Sequence, residues 1–519
     1  MTYAITPARY PCRLWITLIL AFLCVTGVQA GEWTILPRLT LGEIYSDNIY
    51  LDDDNKEGDL ITEITPGINI SGRSARLEAE LDYQMQGLLF ISNTDESSIA
   101  QQLEARATAE ITDNFFFVDA TSRIGQSIVD SSRTVSRNNY NAAGNQTTFY
   151  AYGLSPYIRP HFGGYADGTF RYALNLVFYD DDASNSVENR FDANLVSGRK
   201  FGPLSWSANY VFDDVDRNKT SDARFQNADG EARYFISSKF SLVAQAGWAD
   251  NDYDTSDQIE NGTYWAVGGF FQPSRYYSLE ALTGYNLDTA TVGVYPGRRT
   301  SLQVTYRDRK VGLNNGEAWF GTFRHRTRRT NWNANYTEDT TTQQQLQLGE
   351  GGFSFQGVDP ETGDTNPNPQ PGDLVVIVPT GPIDSLTNEV VERKRGSGSV
   401  GMKTGKTGLL FTVFSQKRKY LTSLREEKTN GFSGSIDRRV APRTNALLTG
   451  SWQRIEDKDP SDSTRNGDRD FWFIDVRLQR QIRRRLDGYI GYSFTRQDSY
   501  RDGDSYNENS IKAKITAYF

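Results

Sequence analysis

The chain has 519 residues, a hydrophobic fraction of 37%, an aromatic fraction of 13%, 45 glycines and a net charge of −9. Its length alone would allow several soluble domains. Only three methionines and no Ala- and Leu-rich runs of period 3.6 exclude a helical globular protein, and the acidic balance excludes a general nucleic-acid-binding surface.

The first thirty residues read as a processing segment. Arg9 and Arg13 form a basic start, residues 14–25 (LWITLILAFLCV) an apolar run, and Val28-Gln29-Ala30 a small-x-small cleavage site before Gly31. The apolar run is shorter than the roughly 20 residues a membrane-spanning helix needs. Cys24 invites lipidation, but Phe22 and Leu23 stand where a lipidation signal wants small residues. Cleavage at Ala30 removes Cys12 and Cys24, so the mature segment 31–519 has no thiol for a disulfide or a Cys-based metal site.

Beyond Gly31 the dominant signal is period-two alternation. In 75–86, Ala75, Leu77, Ala79, Leu81, Tyr83 and Met85 face one way, and Arg76, Glu78, Glu80, Asp82, Gln84 and Gln86 the other. Residues 170–178, 204–212, 240–248, 302–306, 332–336 and 486–494 repeat the rule. The chain ends on Ile511, Ala513, Ile515, Ala517 and Phe519 alternating with Ser510, Lys512, Lys514, Thr516 and Tyr518. A terminal amphipathic strand needs a partner, and in a closed barrel that partner is the first strand. Alternation with low mean hydropathy and many aromatics fits a transmembrane barrel, which needs apolar residues only at every second strand position and aromatic girdles at both interfaces.

The connections alternate as well. Polar stretches at 46–59, 180–188, 250–260 and 457–468 are long. Stretches at 71–74, 112–114, 200–203, 272–275, 296–299, 326–329, 404–407 and 440–443 are short. Short periplasmic turns and long extracellular loops are the pattern of outer-membrane barrels, and the count comes to about 24 strands, with about 20 to 26 accommodated. The expected fold is therefore all-β: one large antiparallel transmembrane barrel over 31–519. Strands at 290–295 and 397–403 carry the weakest alternation. Residues 339–396 are expected to form a long Gly-, Pro- and Gln-containing loop inserted between strands, because Pro367, Pro369 and Pro371 forbid a regular helix or central strand. A loop of that length in a wide barrel is expected to restrict the pore.

No catalytic or metal-binding constellation emerges, and neither a cofactor nor an enzymatic activity is expected. The two histidines, His161 and His325, sit near short turns with no Cys or second His beside them. Asp250-Asn-Asp-Tyr-Asp254 begins like a calcium loop but has Thr255 and Asn261 where Gly and Glu belong. Gly401 stands one residue too close to Gly405-Lys406-Thr407 for a phosphate-binding loop, and the stretch reads as a strand entering a turn. The acidic clusters 52–54 and 180–182 suit solvated outer loops or divalent cations bridging lipopolysaccharide.

What remains at residue level is the inward face. Arg76, Glu78, Glu80, Asp82, Arg171, Asn175, Gln245, Gln303, Arg307, Asn331, Asn333, Asn335, Arg477, Lys512 and Lys514 are the candidate lumen-facing residues. Mixed charges with amides and Tyr suit a hydroxyl-rich polymer, although any aqueous lumen must be lined with polar groups.

The stretch Pro37-Arg38-Leu-Thr-Leu-Gly-Glu-Ile-Tyr45-Ser-Asp-Asn48-Ile, followed by Glu63-Ile-Thr-Pro66-Gly67-Ile, resembles large outer-membrane β-barrel proteins associated with exopolysaccharide loci. The nearest likeness is to the PEP-CTERM/exosortase system-associated family. Arg298-Arg-Thr-Ser-Leu, the Pro-rich loop and residues 406–420 fit the same layout. The resemblance implies a channel or scaffold for exopolysaccharide export or surface assembly in the outer membrane of a Gram-negative bacterium, and it transfers no catalytic residues. The partners expected are outer-membrane lipid and lipopolysaccharide, the barrel-assembly machinery through the C-terminal strand, polysaccharide and periplasmic export components, but no nucleic acid. A general or oligosaccharide-uptake porin and a closed-lumen adhesion scaffold are the alternatives.

Overall fold

The computed structural model describes residues 31–131, 133–180, 184–255, 260–342, 357–358, 365–366, 386–387, 389–458 and 467–519. The expected signal segment 1–30 and most of the expected loop lie outside them. The first eight strands are β1 (Glu32–Ser46), β2 (Asp59–Arg73), β3 (Leu77–Phe90), β4 (Ser98–Thr112), β5 (Phe116–Ile128), β6 (Gln146–Ile158), β7 (Ala166–Tyr179) and β8 (Ser186–Ser197). Then come β9 (Leu204–Arg217), β10 (Ala223–Phe235), β11 (Phe240–Asp252), β12 (Gly262–Ser274), β13 (Tyr277–Tyr285), β14 (Leu287–Gly297), β15 (Thr300–Arg309), β16 (Gly316–Arg326) and β17 (Thr330–Thr341). The last seven are β18 (Val391–Lys403), β19 (Thr407–Tyr420), β20 (Glu426–Ala441), β21 (Thr444–Lys458), β22 (Arg469–Arg483), β23 (Leu486–Ser499) and β24 (Tyr506–Tyr518). These form one 24-stranded antiparallel sheet. It closes where β24 pairs with β1, from Arg38 opposite Tyr518 to Ser46 opposite Ser510. Closure leaves no sheet edge to desolvate in lipid.

Alternation decides which face meets lipid. On β7, Phe170, Tyr172, Leu174, Leu176 and Phe178 point outward while Arg171, Ala173, Asn175, Val177 and Tyr179 point inward. On β24, Ile511 and Ile515 are exposed outward, while Ser510 and Lys512 are buried inside. Four adjacent strands carry an outward row of rings, Phe411, Phe432, Trp452 and Trp472, with centroids 6.2, 5.7 and 5.9 Å apart. This is a piece of an interfacial aromatic girdle.

The two ends of the barrel differ. At the end holding the chain terminus, connections such as 298–299, 442–443 and 484–485 are two-residue turns. The other end carries the long loops, with one exception: β13 and β14 are joined through Asn286 alone, whose φ of 56° lies in the left-handed region that Asn tolerates. Inward-facing Gly268 and Gly284 have no space for a Cβ, which would overlap the Ala281 and Trp265 carbonyl oxygens.

Several boundaries shift from expectation. Strand β14 extends beyond 290–295, and β18 begins at Val391 rather than 397. The connection expected over 339–396 shortens to 342–390, because Thr341 pairs with Val391 and the ladder continues through charged residues. Arg393 grips Asp339 with two hydrogen bonds of 3.0 and 2.8 Å, and Lys394 reaches Glu338 at 2.8 Å. Their polarity imitates a loop in the sequence. Arg76, expected in the lumen, lies in the 74–76 turn, where its Nη2 donates to Asp113 of the neighbouring turn at 2.5 Å.

Candidate functional site

Strand register places the remaining candidate lumen residues on the inward face. Glu80 pairs with Arg106 at 2.6 Å, and Asp82 accepts two hydrogen bonds from Arg38 at 2.7 and 2.6 Å. Glu78, beside the 74–76 turn, is 3.7 Å from Arg73. Arg171 donates to Asp119 at 2.7 Å and lies 4.0 Å over the Tyr157 ring. Asn175 donates to Glu188 at 2.8 Å and Gln245 to Glu231 at 2.9 Å. Gln303 is exposed opposite Thr322, and Arg307 lies 5.1 Å over Phe320. Asn331, Asn333 and Asn335 face Arg326, Arg324 and Thr322. Arg477 bonds Asp475 at 2.5 Å, Lys512 lies 4.8 Å over Tyr140, and Lys514 reaches Glu63 at 2.6 Å. These residues line one surface and do not converge on a centre.

Exposure along that surface has a direction. Glu78 on β3, Arg106 on β4, Asp229 on β10, Thr322 on β16 and Asn335 on β17 are exposed toward the turn end. Farther along the same strands toward the loop end, Phe90, Ala100, Phe225, Ala318 and Thr341 are buried. On these strands the inward side chains are therefore open to water toward the turn end and covered toward the loop end.

Among the described residues, one part of this cover is a segment the alternation did not single out, residues 129–145 between β5 and β6. It packs inside the neighbouring arc of the wall, from β20 through β24 and β1 to β3. Tyr506 Oη donates to the Val135 carbonyl at 2.6 Å, Gln497 Oε1 accepts the Val135 N–H at 3.2 Å, and Tyr140 Oη meets Ser510 Oγ at 3.0 Å. Asn141 donates to Glu508 at 2.8 Å, Ser131 to Glu427 at 2.9 Å and Asn139 to Gln86 at 2.9 Å. Val135 is buried with Leu51, Ile128, Ile455, Phe471, Phe473 and Tyr506, while Tyr140 is buried with Ile44, Ile49, Ile61, Leu88 and Phe90. Apolar burial along this arc and the hydrogen bonds to it fix the segment inside the loop end as a stopper. Burial lifts the Tyr140 hydroxyl well above its ordinary pKa and lowers the Arg137 guanidinium to about 10. The sequence did offer a signal: the Asn- and Ser-rich stretch 129–145 is 17 residues of broken alternation, too long for a hairpin turn.

A second bridge crosses the same end. Leu386, in the described end of the long connection, donates its N–H to the Ile128 carbonyl at 2.9 Å. Glu389 accepts the Thr422 and Ser423 N–H groups at 3.0 and 2.8 Å, and Val390 is buried with Val215, Phe225 and Leu421. Thr422 also donates to the Asp254 carbonyl at 2.9 Å, tying the β19–β20 loop to the β11–β12 loop.

Charge divides the lumen into two arcs. From β3 to β10, inward Glu78, Glu80, Asp82, Glu104, Asp119, Glu188, Asp192, Asp213, Asp229 and Glu231 outnumber Arg106, Arg123, Arg171, Arg190, Arg217 and Arg233. From β18 to β24, inward Arg393, Arg395, Lys403, Arg418, Arg439, Arg469, Arg477, Lys512 and Lys514 outnumber Glu427, Asp437, Asp457, Asp475, Asp487 and Glu508. Opposite signs on two low-dielectric walls give a field across the lumen rather than along it. Among the described residues no group of His, Cys, Asp and Glu is arranged to hold a metal ion. His161 pairs with Asp167 at a turn, and His325 meets Thr300 Oγ1 at 2.7 Å on the outward face.

No family model and no curated protein sequence matches the chain. Among solved structures, the FrpB iron transporter from Neisseria meningitidis (F5-1 variant, apoprotein form) is similar with a TM-score of 0.48 and 10% identity, over 93% of this chain and 81% of that one. The siderophore receptor PirA from Acinetobacter baumannii gives 0.46 and 11%, over 93% and 80%. A loop L8 deletion mutant of OmpT, an outer membrane protein of Vibrio cholerae, gives 0.29 and 10%, over 95% and 100%.

Proposed function

We propose that this barrel is an outer-membrane conduit through which an extracellular polysaccharide leaves the periplasm, and that it is a channel rather than an enzyme. One observation carries the direction: inward side chains are wet toward the turn end and buried toward the loop end. Periplasmic turns are the short ones in outer-membrane barrels. A solute arriving from the periplasm finds the lumen accessible and meets the stopper last, as export requires. An uptake porin would instead present its accessible surface to the outside. Amides, tyrosines and charges of both signs supply the donors and acceptors that a hydroxyl-rich chain exchanges for water. The resemblance of residues 37–49 and 63–68 to exopolysaccharide-locus proteins supports the same reading. Periplasmic export components would then dock at the turn end, and the mature chain would begin at Gly31.

The test is a deletion strain. Loss of secreted polymer, restored by the intact gene, supports export. Normal secretion combined with loss of growth on one sugar would replace this reading with uptake.

A further inference from the structure

The stopper carries a cation that its surroundings do not satisfy. Arg137 lies with its guanidinium 4.6 Å over the ring of Phe471. Its Nε and Nη1 atoms are buried, and among the described residues neither has a hydrogen-bond partner. The ionisable group acting on it is the Tyr506 hydroxyl, not a carboxylate. The wall beneath shows the same deficit. Gln453 sits directly opposite Phe471 in the β21–β22 ladder, and both atoms of its amide are buried without a partner. Arg469, two positions from Phe471 on the same face, spends Nη1 on the Gly467 carbonyl at 3.0 Å and leaves Nε and Nη2 unmet. Ser451 Oγ, opposite Phe473, is likewise buried and unmet.

Buried polar groups are nearly always hydrogen-bonded, so several unmet ones around a single ring need an explanation. Direct and diagonal cross-strand neighbours lie within reach of one small ligand. Arg469 already lies in the field of Glu427, Asp457 and Asp130, but no carboxylate acts on Arg137, whose free donors call for an anion held by planar, charge-assisted bonds. The amide and hydroxyl add neutral donors and acceptors, and the Phe471 ring adds an apolar platform.

We infer that Arg137, Arg469, Gln453, Ser451 and Phe471 form a binding subsite for an anionic sugar unit, a carboxylate-bearing segment of the transported chain, where the stopper meets the loop-end part of β21 and β22. The inference rests on the export reading for the origin of that chain. The basic arc then has a role in transport, because its positive field draws acidic residues of the polymer toward the closure. A carboxylate on Arg137 adds an anion to the segment that blocks the mouth, so arrival of substrate and the state of the stopper become linked.

The experiment uses the full-length barrel in detergent and titration calorimetry with tetragalacturonate, with maltotetraose as the neutral control. Tetragalacturonate should bind in a salt-sensitive manner and maltotetraose should not. Arg137→Gln should weaken binding by about tenfold or more, while Arg137→Lys, which keeps the charge, should remain within about threefold of the native barrel. Retained heat-modifiable migration shows that each variant is folded. Equal binding of maltotetraose, an unaltered affinity in Arg137→Gln, or no binding of tetragalacturonate to the native barrel would each remove the subsite. None of these results touches the secretion phenotype of the deletion strain. A barrel needed for secretion but indifferent to tetragalacturonate therefore refutes the subsite and leaves the export reading standing.

Discussion

The arcs β3–β10 and β18–β24 are alike outside and unlike inside. Both present alternate apolar residues to lipid, as Leu81 and Tyr172 do on one and Phe411 and Val476 on the other. Inside, the first arc is acidic and wet at its turn end, and the second is basic and buried along much of its length. Asp475 is 2% exposed and Asp487 4% exposed, although Asp487 lies next to a two-residue turn. The difference shows how a barrel separates stability from function. Lipid contact and ladder hydrogen bonds use the backbone and the outward positions, which leaves every inward position open to another purpose.

The largest effect should come from removing what joins the arcs. Replacing residues 131–143 with a short Gly-Ser linker leaves every strand pair intact. Single-channel conductance in a planar bilayer should then rise several-fold, since a 24-strand wall encloses more space than a porin. An unchanged conductance would mean that the second bridge, through Leu386 and Val390, closes the mouth alone.

Next in size is a buried ion pair at the seam where the sheet closes. Lys514 on β24 passes over Gly42 of β1 to reach Glu63 on β2 at 2.6 Å, with side chains 14% and 4% exposed. A Cβ on Gly42 would stand 2.6 Å from Lys514 Cγ, so glycine is what clears the path. Lys514→Met leaves Glu63 buried without its cation and should cost about 3–5 kcal/mol in urea unfolding of the bilayer-inserted barrel. Adding Glu63→Gln should restore part of that loss. A cost below about 1 kcal/mol would put this seam in the same wet category as the acidic arc.

The outward faces should behave identically. Leu81→Arg and Val476→Arg each place a guanidinium in hydrocarbon and should each destabilise by about 2–4 kcal/mol if they sit near the midplane. A large disparity would show that the arcs differ outside as well.

These contrasts also mark what could be read from the sequence. Strand number, topology and the pairing of the terminal strand with β1 were legible, because lipid on one side and water on the other impose a period of two on residues such as 170–178 and 510–519. Inward parity followed directly. The stopper was not legible, because its fixing contacts join residues such as Tyr140 and Ser510, or Val135 and Tyr506, that lie some 370 positions apart. No local pattern carries such a pairing. Residues 339–396 stand out in the sequence for a physical reason, their length and their prolines. Length measures the freedom of a segment and not where it docks, and the described part of that connection supplies only the second bridge. The charge arcs were implicit in the parity assignments but appear only when inward residues are summed strand by strand around a closed order.

The smallest predicted effect tests the comparison most directly. Glu80 and Arg106 form a pair at 2.6 Å on the inward face of the acidic arc, with side chains 25% and 61% exposed. By distance alone it is no weaker than the Lys514–Glu63 pair. Its surroundings differ, because water enters the lumen from the nearby turn end and supplies hydration to both ions when the contact breaks. An exposed pair of this kind contributes about 0.2–1 kcal/mol, and salt weakens it within a Debye length of about 8 Å at physiological strength. Glu80→Gln should therefore shift urea stability by less than about 1 kcal/mol. A double-mutant cycle with Arg106→Gln should give a coupling of the same order that fades in molar salt. Because the substitution is inward, it should leave lipid insertion and heat-modifiable migration unchanged. A coupling near that of a buried pair, about 3 kcal/mol or more and insensitive to salt, would mean that the turn end is dry. The acidic arc would then be as buried as the middle of the basic one, and the wet entrance on which the proposed direction of transport rests would be lost.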